Sequence, residues 1–593
     1  MIVPMKKVTI LITNRYIDSA LKKLREAGVL HIKKEAHQAE SVENTLLDNK
    51  LLNLNRALLD IENIASAEEN NDRAEDIPGL IEEIHLLTKR KRALFDELNN
   101  ITQMLDWYRI WGGVSLESVS VLQEAGWYVE LCIANKKSWQ EISKDRNAYM
   151  VKRKRNIFYI AVITERETES IFSTQHVDFP NKEYFQLERE RLDVIGQVKE
   201  IDERIKYLAC YRKQYEKYKA KLEKEVEFHK VRSSMVSEDE FRYLAGFCPY
   251  DAVAKILKLA QRQGWGILVQ EPDNSDEVPT LLRNSRLIRI IQPVFKFMDV
   301  IPGYDEYDVS FWFLLFFSLF FAMIIGDAGY GMIFLLLTFL THRKKTKIPK
   351  EVFPLFYTLS FATIIWGALT GTWFGLEQAA AVPFLRMFVI EKINSFLDIN
   401  QGFIMQLCFL IGVIHLTIAH AMRSFRIRNS LKALSHLGWI SVGWAMFFII
   451  ENVVLDKPLM PFSIFLIVFG VLIIAIFSDP GRNFFKSVVL SLLDMPLKII
   501  SYFADILSYL RLFAVGYATV MVAESFNNIA GDIGFNSILA GLISAVVLFF
   551  GHALNILLGL MSVLVHGIRL NVLEFSSHLN MEWKGKRYSP FKE

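Results

Sequence analysis

Residues 501–526 read SYFADILSYLRLFAVGYATVMVAESF, and residues 551–575 read GHALNILLGLMSVLVHGIRLNVLEF. Each stretch sets one arginine, Arg511 or Arg569, in otherwise apolar sequence. From Phe535 to Ile568 there is no Asp, Glu, Lys or Arg at all. A guanidinium keeps its charge in a protein, and a charge at the bilayer centre costs at least about 2.5–3.5 kcal/mol on insertion scales. Two such cations on successive apolar segments point to a function at membrane depth. They also fix the fold class of this half of the chain as helical and membrane-embedded.

Working outward, the 593 residues are 52% hydrophobic yet 22% charged, a mixture that suits neither a soluble nor a fully lipid-embedded protein. Segregation resolves it, because charge is dense before about residue 308 and sparse afterwards. The net charge of +3 is too small over this length to argue for nucleic acid. Cys132, Cys210, Cys248 and Cys408 are far apart and form no metal-ligand spacing, as expected of reduced thiols in a cytosolic setting. The opening MIVPMKKVTILITNRY lacks the apolar core of a signal peptide, so the charged half is expected in the cytosol.

In that half, strands are expected at Lys6–Thr13 and Val29–Lys33, with a helix near Asp18–Ala27 between them. Leu47, Leu51, Leu54, Leu58 and Ile61 then recur at intervals of four and three. After Ile77-Pro78-Gly79 the pattern resumes with Ile84, Leu87, Leu94, Leu98, Ile101, Leu105 and Tyr108, Lys91 taking one seam position. It returns at Val194, Val198, Ile201, Ile205, Leu208, Tyr215, Leu222 and Val226. Apolar three–four spacing with charge between is the coiled-coil signature. Strands at Trp127–Ala134 and Asn156–Thr164 mark an α/β lobe between the arms. Phe241–Phe247, a helix near Ala252–Gln263 and Trp265–Gln270 mark another. The expected shape is a dumbbell, two small lobes joined by an antiparallel coil, with a dimerising coil as the alternative. Its proximal lobe takes 1–36 and 236–300, its coil 37–112 and 183–235, and its distal lobe 113–182. There is no GxxxxGK[ST], GxGxxG or clustered His/Cys set, so no nucleotide, cofactor or metal site is expected, and the chain is not expected to be an enzyme by itself.

Residues 301–593 form the membrane half, with apolar segments near 309–341, 353–375, 401–422, 433–455, 460–478, 487–530 and 535–578. The connections 342–350 (HRKKTKIPK) and 423–432 (RSFRIRNSLK) are strongly basic, 481–486 (GRNFFK) mildly so, and Lys584, Lys586 and Arg587 follow the last segment. Positive charge facing the cytosol then makes 309–341 cross twice, or once as an exception to that rule. The break is expected at Gly326, Asp327, Gly329 and Gly331, with Asp327 holding a hairpin turn. This gives a multi-pass protein of about eight spans. Of the last two, Pro496–Ala530 as one helix would be about 52 Å long and Phe535–His578 about 66 Å at 1.5 Å per residue, so both must tilt or project into water.

On the last segment His552, Asn555, Gly559, Ser562, His566 and Arg569 follow one another at three–four spacing, which puts them on one helical face. On the segment before it Ser501, Asp505, Ser508 and Arg511 are grouped likewise. Polar faces in lipid meet each other, another subunit or water. For Ser, Asn and Gly, hydrogen bonding between helices accounts for them. The arginines read as fixed cations that attract a mobile carboxylate, a physical gate for protons or sodium ions. Glu451, Glu524, Glu574, His415 and His420 are further candidates for lining aqueous paths.

The motifs VPTLLRN (278–284), FFAMIIGDAGYG (320–331), GVIHL (412–416), SYLRLFAVG (508–516) and HGIRLNVLEF (566–575) resemble subunit a, also called subunit I, of V-type and A-type rotary ATPases. The resemblance covers nearly the full length and favours prokaryotic members. It implies a stator subunit in the cell membrane, with its N-terminal half and C-terminal end cytosolic. Arg511 and Arg569 would face a rotating proteolipid ring and meet its ion-binding carboxylates between two half-channels. The soluble half would bind peripheral stalks, and a central-stalk socket subunit and membrane lipid complete the implied partners. Gly559 and Thr519 depart from the acidic residue and histidine of some relatives. Two other classes compete: a stand-alone secondary transporter with a coiled-coil regulatory domain, and a membrane-anchored scaffold. No obvious internal repeat supports the first, and the second leaves the arginines unexplained.

Overall fold

A computed structural model describes the chain except residues 34–41, 63, 65–75, 144–146, 166–174, 274, 345–347, 381, 479–483, 535 and 593. Parts of the basic connections at 342–350 and 481–486, and the start of the first heptad arm, thus lie outside the described residues. The chain is mainly helical and divides into two compact units. One holds residues 12–26 and 34–244; the other holds 1–11, 27–33 and 245–592.

In the first unit the heptads become four long helices, Val42–Asp60, Ile77–Trp111, Tyr184–Ala209 and Arg212–Ser234. Ile77-Pro78-Gly79 starts the second of them, because Pro78 suits a first turn and Asp76 caps it by accepting from the Gly79 N–H. The predicted apolar positions share one seam, including Leu54, Ile84, Ile101 and Tyr108 against Val194, Ile201, Ile205 and Tyr215. Lys230 pairs with Asp48 at 2.9 Å and Arg204 with Glu83 at 2.7 Å. The partner's number falls as the first number rises, so the arms run antiparallel. Lys91, at its seam position, pairs with Asp202. Between the arms a four-stranded antiparallel sheet has the order Ala148–Lys154, Ile157–Thr164, Tyr128–Asn135, Gln175–Val177.

The second unit begins with Lys7–Leu11 pairing antiparallel with Gly266–Gln270, and His31–Ile32 pairing with Gly246–Phe247. Beside them the Asp276 side chain, 3% exposed, receives Lys7 at 2.8 Å and Lys33 at 2.9 Å. Burial alone raises the carboxyl's pKa, but the hydrogen bonds from Lys7 and Lys33 outweigh it and hold the group at about 2, below its ordinary 3.8. A carboxylate whose folded pKa is depressed adds stability above its unfolded pKa and loses it as the pH falls through the folded one. Asp276 therefore contributes about 2 kcal/mol at neutral pH, lost between about pH 4 and pH 2. Asp276→Asn is expected to flatten this part of an acid-unfolding curve, followed by fluorescence.

Among the described residues five helices are long and apolar enough to cross a membrane: Phe353–Thr370, Gln401–Arg426, Lys432–Leu455, Val488–Ile533 and Ile538–His578. A shorter apolar helix spans Pro461–Phe477. Ser310–Ile325 and Ala328–Arg343 form a pair bent by 119°. Gly326 permits that bend by adopting φ +70°, in the left-handed region that favours glycine. Asp327, 2% exposed, accepts the amides of Gly329 at 2.7 Å and Tyr330 at 3.2 Å, capping the second helix. It also accepts those of Phe374 and Gly375, each at 2.9 Å, from the turn after Phe353–Thr370. One carboxylate thus joins three helix ends. Gly367 backs it: a Cβ there would lie 2.1 Å from the Ala328 nitrogen. Gly329 and Gly331 lie against Phe374 and Ile364 in the same joint.

The last two long segments are not uninterrupted α-helices. Phe484–Leu507 gives way at Ser508–Tyr509 to Leu510–Ile533, and the Arg511 N–H bonds back three residues to Ser508. The final helix runs Ile538–Ser562 and then widens into π-turns over Val563–Gly567 and Leu570–Phe575. Both irregularities fall beside an arginine.

Candidate functional site

The Ser508–Tyr509 turn puts Arg511 in the first turn of its helix, where its Nε donates to the Ser508 carbonyl at 2.9 Å. Its Nη2 reaches Glu574 Oε1 at 2.5 Å. The same oxygen lies 3.5 Å from Nε of Arg569. Arg569 and Glu574 are five residues apart, on opposite flanks of an α-helix but close in a π-turn. The widened helix is what lets one carboxylate serve both cations. Glu574 is 4% exposed, and its Oε2 is buried with no hydrogen-bond partner among the described residues.

Two guanidinium groups on one carboxylate leave a surplus positive charge. Arg511 is enclosed at 23% exposure and Arg569 is open at 54%. Around Arg569 the outward side chains, among them Leu564, Val565 and Leu573, are exposed and apolar. The surplus cation therefore sits beside exposed apolar side chains.

The polar stripe divides in two. His552 Nδ1 lies 2.8 Å from the Tyr330 hydroxyl and its Nε2 3.1 Å from Asn527 Oδ1. Asn555 donates to that hydroxyl at 3.0 Å and to the Thr519 carbonyl at 2.7 Å. These two are internal struts between helices. Ser562 and His566 lie further along, half-buried, and His566 Nδ1 has no hydrogen-bond partner among the described residues.

Asp505 turns to a third place. Its carboxylate lies 3.1 Å from Nε2 of His578, while the Ser508 hydroxyl donates to its backbone carbonyl at 2.6 Å. Asp505 and His578 line a cavity of about 780 Å³ with His420, Arg423, His436 and Tyr502. The His420 and His436 Nδ1 atoms are 3.4 Å apart, and the His420 and Tyr502 rings stack. His420 Nε2 and the Tyr502 hydroxyl are buried without a hydrogen-bond partner among the described residues. A polar cavity with unsatisfied buried groups suits water and mobile ions.

Glu451 and Glu524 do not join these groups. Glu451 pairs with Lys457 at 3.1 Å beside the end of its helix, and Glu524 is half-buried next to Gly375. His415 is stacked between Phe316 and Phe575 and bonds the Tyr509 hydroxyl at 2.8 Å, as core packing. Sequence reasoning passed over His578, His436 and Tyr502. His578 stands four residues after Glu574, one turn further along the helix, which is the local signal that could have found it. His436 and Tyr502 carry no local signal.

No family model matches the chain. An alignment over 628 residues, covering all of both chains, gives 31% identity to the V-type ATP synthase subunit I of Borreliella burgdorferi. The V-type ATP synthase subunit I 1 of Treponema pallidum is 27% identical over 626 residues, again over all of both chains. Among solved structures, the cytoplasmic N-terminal domain of a V-ATPase subunit I, homolog of subunit a, matches 44% of this chain and 99% of its own at TM-score 0.25 and 13% identity.

Proposed function

The chain belongs to the V-type ATP synthase subunit I family, and on that premise we propose that it is the ion-translocating stator subunit of a rotary membrane sector. The observation that carries this reading is the surplus cation of the Arg511–Glu574–Arg569 triad, beside exposed apolar side chains. A carboxylate arriving on a proteolipid ring finds there an anion site that never neutralises itself. Attraction to Arg569 favours its ionised form, so it gives up its ion, and the fixed charge blocks ions from crossing directly between the two half-channels. Glu574 keeps two like charges close together and aimed. It holds Arg511 firmly and leaves Arg569 free to meet the ring.

In this reading the Asp505–His578 cavity is the cytosolic access path, and Ser562 and His566 border the other. The membrane half contributes about eight spans, the bent pair counting as two. Residues 1–300 are the cytosolic stator, a dumbbell whose lobes hold the peripheral stalks, and the central-stalk socket subunit and lipid complete the surroundings. Isolation of the tagged chain in mild detergent is expected to bring down a proteolipid ring and stalk subunits. A stand-alone secondary transporter would instead move substrate in liposomes with no other protein present.

The access path makes its own prediction. Asp505→Asn combined with His578→Ala is expected to slow ATP-driven ion transport about tenfold with the complex intact. Unchanged transport would remove the cavity from the path and leave the arginines' role standing.

A further inference from the structure

The segment after the last helix crosses back over the lobe that opens the chain, and every turn of it is tied. The Gly585 N–H bonds the Ile301 carbonyl at 3.0 Å. Lys586–Arg587 pairs in parallel with Pro279–Thr280, part of the VPTLLRN motif. The Tyr588 N–H reaches the Thr280 carbonyl at 3.1 Å, and its hydroxyl reaches the Val29 carbonyl at 2.7 Å. The Phe591 N–H reaches the Leu30 carbonyl at 2.8 Å, and its ring is 2% exposed. Gly585 admits no side chain, since a Cβ would lie 2.1 Å from the Pro302 carbonyl oxygen.

We propose that residues 585–591 are a load-bearing strap, and that Phe591 and Tyr588 are positioning residues for Arg569. The inference rests on the ring-facing reading above. A ring carboxylate that pulls on Arg569 pulls sideways on its helix through a side chain that is 54% exposed. Two π-turns flank the arginine, so the α-helical hydrogen-bond ladder is interrupted on both sides of it. Before the arginine, His552 and Asn555 pin the helix to Tyr330 and Thr519. Beyond it Glu574 and His578 meet Arg511 and Asp505, the helix ends at His578, and the strap fixes the chain that follows, its partners drawn from three separate chain segments. The VPTLLRN motif, which carries no chemistry of its own, supplies one of its tracks.

The test uses the assembled complex in inverted membrane vesicles, with coupling measured as ions transported per ATP against a rising opposing gradient. Phe591→Ala and Gly585→Val are expected to hydrolyse ATP within twofold of the parent. At low gradient they should couple normally, and at high gradient they should lose at least half of their coupling. Phe591→Leu should restore it. Gradient dependence identical to the parent's overturns the proposal, and so does a loss that tracks only the amount of assembled complex. Arg569→Ala run in parallel separates the two levels. If it leaves transport intact, the ring-facing reading fails; if it abolishes transport while Phe591→Ala couples fully, only the strap fails.

Discussion

Membranes carrying Arg511→Ala are expected to lose ATP-driven ion transport entirely, at least a hundredfold below the parent. Arg511 makes the shortest contact to Glu574, at 2.5 Å, and is the more enclosed of the two cations. Its removal leaves a 4% exposed carboxylate with Arg569 alone, at 3.5 Å. The surplus charge disappears, because one guanidinium and one carboxylate cancel, and a ring carboxylate then has no net cation to meet. Breaking a buried pair by deleting one partner also costs about 3–5 kcal/mol, so the single variant combines misfolding with lost function. Arg569→Gln separates them. It strands no buried charge, because Arg511 and Glu574 stay paired, is expected to leave normal amounts of chain in the membrane, and still should not transport. Transport by this variant would refute the gate.

The second large effect falls on architecture. Asp327→Ala removes the acceptor of four backbone amides in a site that is 2% exposed. A hydrogen bond to a charged group contributes about 1.5–3 kcal/mol, and an amide left buried without a partner costs about 1–3 kcal/mol. Even with partial relaxation the loss exceeds about 4 kcal/mol, a large part of the stability of an ordinary domain. The expected result is little intact chain in the membrane and a melting transition at least 10 °C lower for what remains. Asp327→Asn should fall between, because an amide group keeps one acceptor oxygen and turns two hydrogens on the amides it should receive. Wild-type stability of Asp327→Ala would show that the joint does not hold the hairpin.

Much of the arrangement was legible in the residues because it depends on local periodicity. Three–four spacing put Leu54, Ile84 and Val194 on one seam, and they share it. Glycine beside Asp327 marked the sharp turn between the Ser310–Ile325 and Ala328–Arg343 helices. Absence of charge between Phe535 and Ile568 marked Arg569 as singular. Each of these follows from what one helix or one turn demands of its own residues.

Which polar groups meet was decided elsewhere. The stripe from His552 to Arg569 reads as one continuous face, yet its first part is spent on Tyr330 and Thr519 and only its last turns lie near the arginines. Glu574 looked no more favoured than Glu451 or Glu524. It serves both arginines because a π-turn brings Arg569 around and a turn at Ser508–Tyr509 re-aims Arg511, from 63 residues away. By itself the sequence determined that two permanent cations lie among apolar helices at the end of this chain. Only the tertiary structure decided that they share one buried carboxylate, since periodicity reports the polar side of an ideal helix and this site is built where the helices depart from ideality.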